Sequence, residues 1–257
     1  MRNILSVAGK ELRAYFHSPI AYLVMAIYSI LCGFFFYSLT ATFVVQSLRM
    51  QMEEGGGFPM SLNEMIVRPL FEGILTVVLL LLVPLITMSL YAEEKRTGTI
   101  ELLLTSPLTD LQIIIGKLLG ALGLYFVMLV LTFLYVGLLF LYGNPDPKPL
   151  IANVLGILLF GAALLSLGMW VSTFTRNQII AAVVAFALFL LLYVFDWVSA
   201  YSTTAAGRVM SYLALTTHFD NFTKGVINSG DLVYYLSIIV LGIFLTARSV
   251  EALKGRP

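Results

Sequence analysis

Six stretches of this chain are each apolar over the length of a membrane-crossing helix, or nearly so, and this limits the fold more than any motif does. They fall at residues 20–45, 73–91, 118–142, 150–174, 178–195 and 232–247. About 20 predominantly apolar residues cross the hydrocarbon of a bilayer as a helix. Lipid offers no partner to a backbone N–H or C=O, so the hydrogen bonds must close within each segment or around a barrel. The alternating ten-residue pattern of barrel strands is absent. The last stretch is short, and Arg248 has to snorkel to lengthen it. The reading is an all-α integral membrane protein, one transmembrane domain over residues 1–257 with six transmembrane helices.

Charge placement sets the expected orientation. Only 11% of the 257 residues are charged, 15 basic and 14 acidic, so their sum says little. With the N-terminus inside, ten basic residues fall on the inner side: Arg2, Lys10, Arg13, Lys95, Arg96, Lys117, Arg176, Arg248, Lys254 and Arg256. Five fall outside: Arg49, Arg68, Lys148, Arg208 and Lys224. The positive-inside rule then places both termini in the cytoplasm, in a multi-pass protein of the cell (inner) membrane. The uncharged run over residues 18–48 is too long for a signal-peptide core, so the first span is retained.

Several function classes drop out. No cluster of Lys and Arg makes a nucleic-acid face. Cys32 is the only cysteine and His17 and His218 the only histidines, so neither a disulfide framework nor a metal site is expected. The glycines at residues 55–57 are followed by no Lys-Ser/Thr and make no phosphate loop. No Walker motif, HExxH or GxSxG occurs, so no catalytic residues are assigned and no cofactor is expected on this chain. The span cores hold no ionisable residue, whereas ion-driven carriers keep such groups at membrane depth. Energy for any transport must therefore enter elsewhere.

Two segments outside the spans carry the information. Residues 1–18 place Ile4, Leu5, Ala8, Leu12, Tyr15 and Phe16 on one stripe at helical spacing, with Lys10, Arg13 and His17 facing away. Ser18 and Pro19 then end the helix. This is an amphipathic helix at the membrane surface. Residues 92–117 read AEEKRTGTIELLLTSPLTDLQIIIGK. Gly98 suits the left-handed end of a helix, and Thr99 the cap of a short helix over residues 100–105 that stops before Ser106 and Pro107. Thr109 with Gln112 forms a capping box for the third span. The chain thus makes helix, elbow, helix. Leu102, Leu103 and Leu104 are costly to expose. Their short helix, ringed by Glu93, Glu94, Lys95, Arg96 and Glu101, serves either to dock a soluble subunit or to pack on the N-terminal helix.

The pair KELRAYFHSPIAYL and EEKRTGTIELLLTSPLTDLQIIIGK, with HFDNFTKGVINSGDLVYYLSI near the end, resembles type-2 ABC exporter permeases. Within them it is similar to the gliding-motility-associated (GldF-like) permeases and their relatives, which include the permease of nitrous oxide reductase maturation. The resemblance implies a transmembrane subunit that dimerises with the same or a related permease. It implies a separate cytoplasmic ABC ATPase in two copies, which holds the ATP and Mg. Glu93, Glu94, Arg96, Gly98, Thr99, Glu101, Leu102, Leu103 and Pro107 then match the ATPase-coupling region. Lys10, Glu11, Arg13 and Phe16 match the interface helix. Residues 196–231 match an outward loop with short re-entrant helices, over residues 205–215 and 219–227.

Two features are expected within the spans. Gly116 and Gly120 form a GxxxG motif that permits close helix contact, a dimer contact being one candidate among the contacts it allows. Pro84 is expected to kink the second span. A rival to the exporter reading is a membrane scaffold or mechanical element that binds an ATPase without moving cargo.

Overall fold

The computed structural model describes residues 2–52, 61–104, 107–200 and 204–254. The glycine loop at residues 53–57, Thr105, Ser106 and the side chains of Leu103 and Leu104 lie outside the described residues. The described chain is helical, with no strand. Its helices are α1 (Arg2–His17), α2 (Pro19–Met52), α3 (Asn63–Thr97), α4 (Ile100–Leu104), α5 (Asp110–Tyr142), α6 (Pro147–Ser172), α7 (Gln178–Ala200), α8 (Ala205–Leu213), α9 (Leu215–Thr223) and α10 (Ser229–Lys254). Among the described residues six are long and apolar enough to cross a membrane: α2, α3, α5, α6, α7 and α10.

Local chemistry sets the helix ends. Ser18 separates α1 from α2, and Pro19 opens α2 at a position where its missing N–H costs nothing. Thr109 Oγ1 accepts from Gln112 N while the Gln112 side chain accepts from Thr109 N, completing the capping box. Asp146 caps α6 through Lys148 N. Gly98 ends α3 with φ +76°, a conformation that L side chains resist.

Several helices run beyond the stretches read from hydropathy. The 34 residues of α2 extend about 51 Å at 1.5 Å per residue, against about 30 Å of hydrocarbon. Hydropathy reports only the apolar middle of a helix; capping and hydrogen bonding decide where it ends. The start of α3 winds as two π-helical turns, Asn63–Val67 and Leu70–Leu75, on either side of Pro69. Proline has no N–H for the i−4 ladder, so the backbone widens there. Pro84 lies buried inside α3, and the helix carries on through a turn at Met88.

α6 is the centre of the bundle. It packs against α3, α5, α7, α9 and α10, and most of its residues are buried. Glycines allow that density. A Cβ at Gly161 would lie 2.2 Å from the Tyr125 ring of α5, and one at Gly168 would lie 2.4 Å from Thr87 Oγ1 of α3. Tyr125 also donates to Ile157 O at 2.6 Å. By contrast α7 keeps a broad apolar face exposed, including Ile179, Val183, Leu190 and Leu191, as a helix against lipid does.

The bundle ends differ. At one end α8 packs on α7, and α9 packs on the starts of α3, α6 and α10. His218 links three helices there. Its Nδ1 lies 2.7 Å from Asp231 Oδ1, its Nε2 donates to Tyr212 O at 3.1 Å, and its ring stacks on Tyr234. Arg68 of α3 joins this end, with Nε 2.9 Å from Glu72 and Nη2 3.3 Å from Asp220 of α9. The short helices α8 and α9 fall inside the expected 196–231 segment, the second starting four residues earlier than its apolar pattern indicated. α1, the end of α3, α4 and the start of α5 gather at the opposite end.

Candidate functional site

At that end α1 lies in a groove along α5. The groove exists because Gly116, Gly120 and Gly123 carry no side chain. A Cβ at Gly116 would stand 2.6 Å from Val7 Cβ, and one at Gly120 would stand 2.5 Å from Glu11 Cβ. The close contact expected of the GxxxG motif is thus made within the chain. The surface of Gly116 and Gly120 is filled by α1 of the same chain. Glycine spacing signals close approach, but it does not say whether the partner is another chain or a distant part of this one.

The packed face of α1 carries Ile4, Val7, Ala8, Glu11, Leu12 and Tyr15. It is rotated from the expected stripe, for Val7 is buried and Leu5 is exposed. Lys10 and Arg13 face solvent, while Phe16 is half-buried and meets Tyr22 edge-on. Tyr15 donates to Ile86 O at 2.9 Å. Burial above all, and then the negative field of Glu11, push its phenol well above the usual range, so it stays a donor at neutral pH.

The centre of the site is Lys117, a residue that hydropathy had assigned to a loop. It sits in the second turn of α5 and is 1% exposed. Its ammonium donates to Glu11 Oε1 of α1 at 2.9 Å, to Glu94 Oε1 of α3 at 2.8 Å, and to Leu90 O at 2.8 Å. The Tyr91 ring lies 5.1 Å from the ammonium. All three ammonium protons therefore have acceptors. At the rim Lys10 Nζ stands 4.0 Å from Glu11 and 3.9 Å from Glu94, which balances two carboxylates with two ammoniums. The signal in the sequence was a lysine inside IIIGKLLGALG, an apolar run where a cation stands only beside a partner.

A second tie holds α3 to α6. Ser172 Oγ accepts from Tyr91 N at 3.0 Å and from Ala92 N at 3.1 Å, and donates to Met88 O at 3.3 Å. All three groups lie in the turn at Met88 or within four residues of it. Lys95 Nζ donates to Thr173 O. The last two turns of α3 are thereby fixed to α1, α5 and α6 together.

Beyond this anchored end comes the elbow. Thr97 Oγ1 meets Thr99 Oγ1 at 3.0 Å across Gly98. In α4, Glu101 and Leu102 are exposed, Leu102 to 74%. Glu93, Arg96, Thr99 and Pro107 are exposed around it, while Glu94 points inward to Lys117. An exposed leucine follows at once on a helix whose end cannot tilt freely. Among the described residues no group of three or more His, Cys, Asp or Glu is placed to hold a metal ion.

The fold and this site define a polytopic helical membrane protein in which a surface helix and an exposed elbow are locked to the bundle at one end. Residues 5–249 match the model of the ABC-2 family transporter proteins, and the chain belongs to that family. It is similar to the probable multidrug ABC transporter permease YbhS of Escherichia coli K12, 27% identical over 192 residues, which cover 70% of this chain and 48% of that protein. The same protein of Escherichia coli O157:H7 matches equally. The chain spans about half the length of the curated relatives it matches.

Proposed function

We propose that this chain is the membrane-spanning permease of an ATP-driven exporter, of the gliding-motility-associated type, with its termini in the cytoplasm. It forms the translocation pathway with a second permease chain, and a cytoplasmic ABC ATPase in two copies supplies the hydrolysis of MgATP. The carrying observation is the joint between α4 and the bundle. Leu102 stands exposed on an elbow whose preceding helix is tied to α1 and α5 through Lys117 and to α6 through Ser172. A push on α4 therefore reaches three helices as a rigid-body displacement rather than bending a loop, which is what a two-state transition requires.

The test is the double substitution Glu101→Lys with Leu102→Asp. Both side chains are exposed, so the permease should still fold and insert. The ATPase subunit encoded with it should no longer co-purify, or its hydrolysis should no longer respond to the permease. Normal co-purification and normal stimulation would refute the docking role of α4. Intact coupling without movement of any cargo in reconstituted vesicles would favour a mechanical scaffold.

A further inference from the structure

A cavity of about 430 Å³ opens between α1, α2 and α3 beside the Lys117 cluster. Its volume falls within the ~300–1,000 Å³ usual for small-molecule sites. The walls change character with depth. Ala21, Val24, Leu85, Ile86 and Leu124 line the apolar part, and Glu93, Arg96, Thr97 and Gln178 line the polar part. Eight residues separate Leu85 from Glu93, about 12 Å along a helix. The cavity is thus amphipathic along the direction in which a lipid head passes into its chains.

The polar part also has a defined charge pattern. Three cations line it, Lys10, Arg96 and Lys117, with three anions, Glu11, Glu93 and Glu94. Lys117 is consumed by its internal partners. No ion pair among the described residues holds the Arg96 guanidinium or the Glu93 carboxylate. One oxygen of Glu94, Oε2, is buried with no hydrogen-bond partner. A guanidinium suits a phosphate diester. A buried carboxylate oxygen without a donor calls for an N–H, which a primary ammonium has and a quaternary ammonium lacks. We propose that this cavity binds one phospholipid with a phosphate and a primary ammonium in its head, of the phosphatidylethanolamine type. Arg96 holds the phosphate, Glu93 and Glu94 Oε2 hold the ammonium, and the apolar wall takes the start of an acyl chain. The inference is independent of the exporter reading, because it needs only the lipid of the membrane the chain spans.

Native mass spectrometry of the purified, delipidated full chain tests it. Phosphatidylethanolamine, phosphatidylcholine and phosphatidylglycerol with identical acyl chains are added separately. One phosphatidylethanolamine should bind about tenfold more tightly than either other lipid, the worth of one charge-assisted hydrogen bond. Arg96→Ala, at an exposed position, should remove that preference. Ala14→Trp, at an exposed position on the cavity wall, should block binding with unchanged thermal stability. Equal binding of the three lipids, or undiminished binding in both variants, would overturn the proposal. Displacement of the lipid by an equal concentration of free phosphoethanolamine would assign the site to a soluble zwitterion and overturn it as well.

Discussion

The Lys117 ammonium lies 2.8 Å from Oε1 of Glu94, and this contact joins the helix before the elbow to the helix after it. Glu11 completes the cluster from α1. Removing one partner from a buried ion cluster leaves the others uncompensated, at a cost of about 3–5 kcal/mol, whereas replacing the whole set by apolar or neutral groups is often mild. Lys117→Met alone should therefore lower the stability of the purified chain strongly in thermal unfolding. Adding Glu11→Gln and Glu94→Gln should restore most of it. If the triple variant proves no more stable than the single one, the loss belongs to packing and not to charge.

The groove that seats α1 makes a separate prediction. A side chain at position 116 meets Val7 within 2.6 Å and the Ile4 carbonyl at 3.1 Å. Neither can give way without moving α1. Gly116→Val should lift α1 off α5, and limited proteolysis in detergent should then cleave between α1 and α2 much faster than in the parent chain. Gly137, on the same helix but with nothing within 4 Å, is the control: Gly137→Ala should leave cleavage unchanged.

The membrane class, the N-terminal helix, the elbow and both of its punctuation marks were legible in the sequence. The left-handed Gly98 and the Thr109–Gln112 capping box are local chemistry, fixed by residues within four positions of one another. The centre of the site was not legible, because its parts are far apart. Glu11 and Lys117 are separated by 106 residues, and no local pattern says that one charge will find the other. Hydropathy gave Lys117 to a loop because a lone cation looks unfavourable inside a helix. Its partners on α1 and α3 make that burial tolerable. The glycines failed in the same way: the motif announced a close contact and left its partner unnamed.

Ser172 Oγ accepts from two buried amides of α3, Tyr91 N and Ala92 N. Ser172→Ala removes this shared acceptor from a buried site, and an amide left unsatisfied there costs roughly 1–3 kcal/mol. Hydrogen exchange should accelerate at these two amides and not at α5 amides such as Leu124. Uniform acceleration across the bundle would mean that the serine supports global packing and not the joint between α3 and α6.

Gly98 separates the chemistry of the elbow from its direction. Its φ of +76° is reached freely by glycine, with some tolerance by asparagine, and at a cost of about 1–2 kcal/mol by other L residues. No atom lies within 4 Å of a Cβ placed there, so a substitution meets strain and no clash. Gly98→Asn should be nearly silent, while Gly98→Ala and then Gly98→Val should bias α4 progressively away from its present direction. The exposed Glu101 and Leu102 are unchanged in all three. If α4 docks an ABC ATPase as proposed and coupling depends on where α4 points, stimulation of that ATPase should fall in the order Asn, Ala, Val while the chain stays folded. Equal stimulation in the three variants would show that α4 acts through its side chains alone and that the left-handed turn is only the end of a helix.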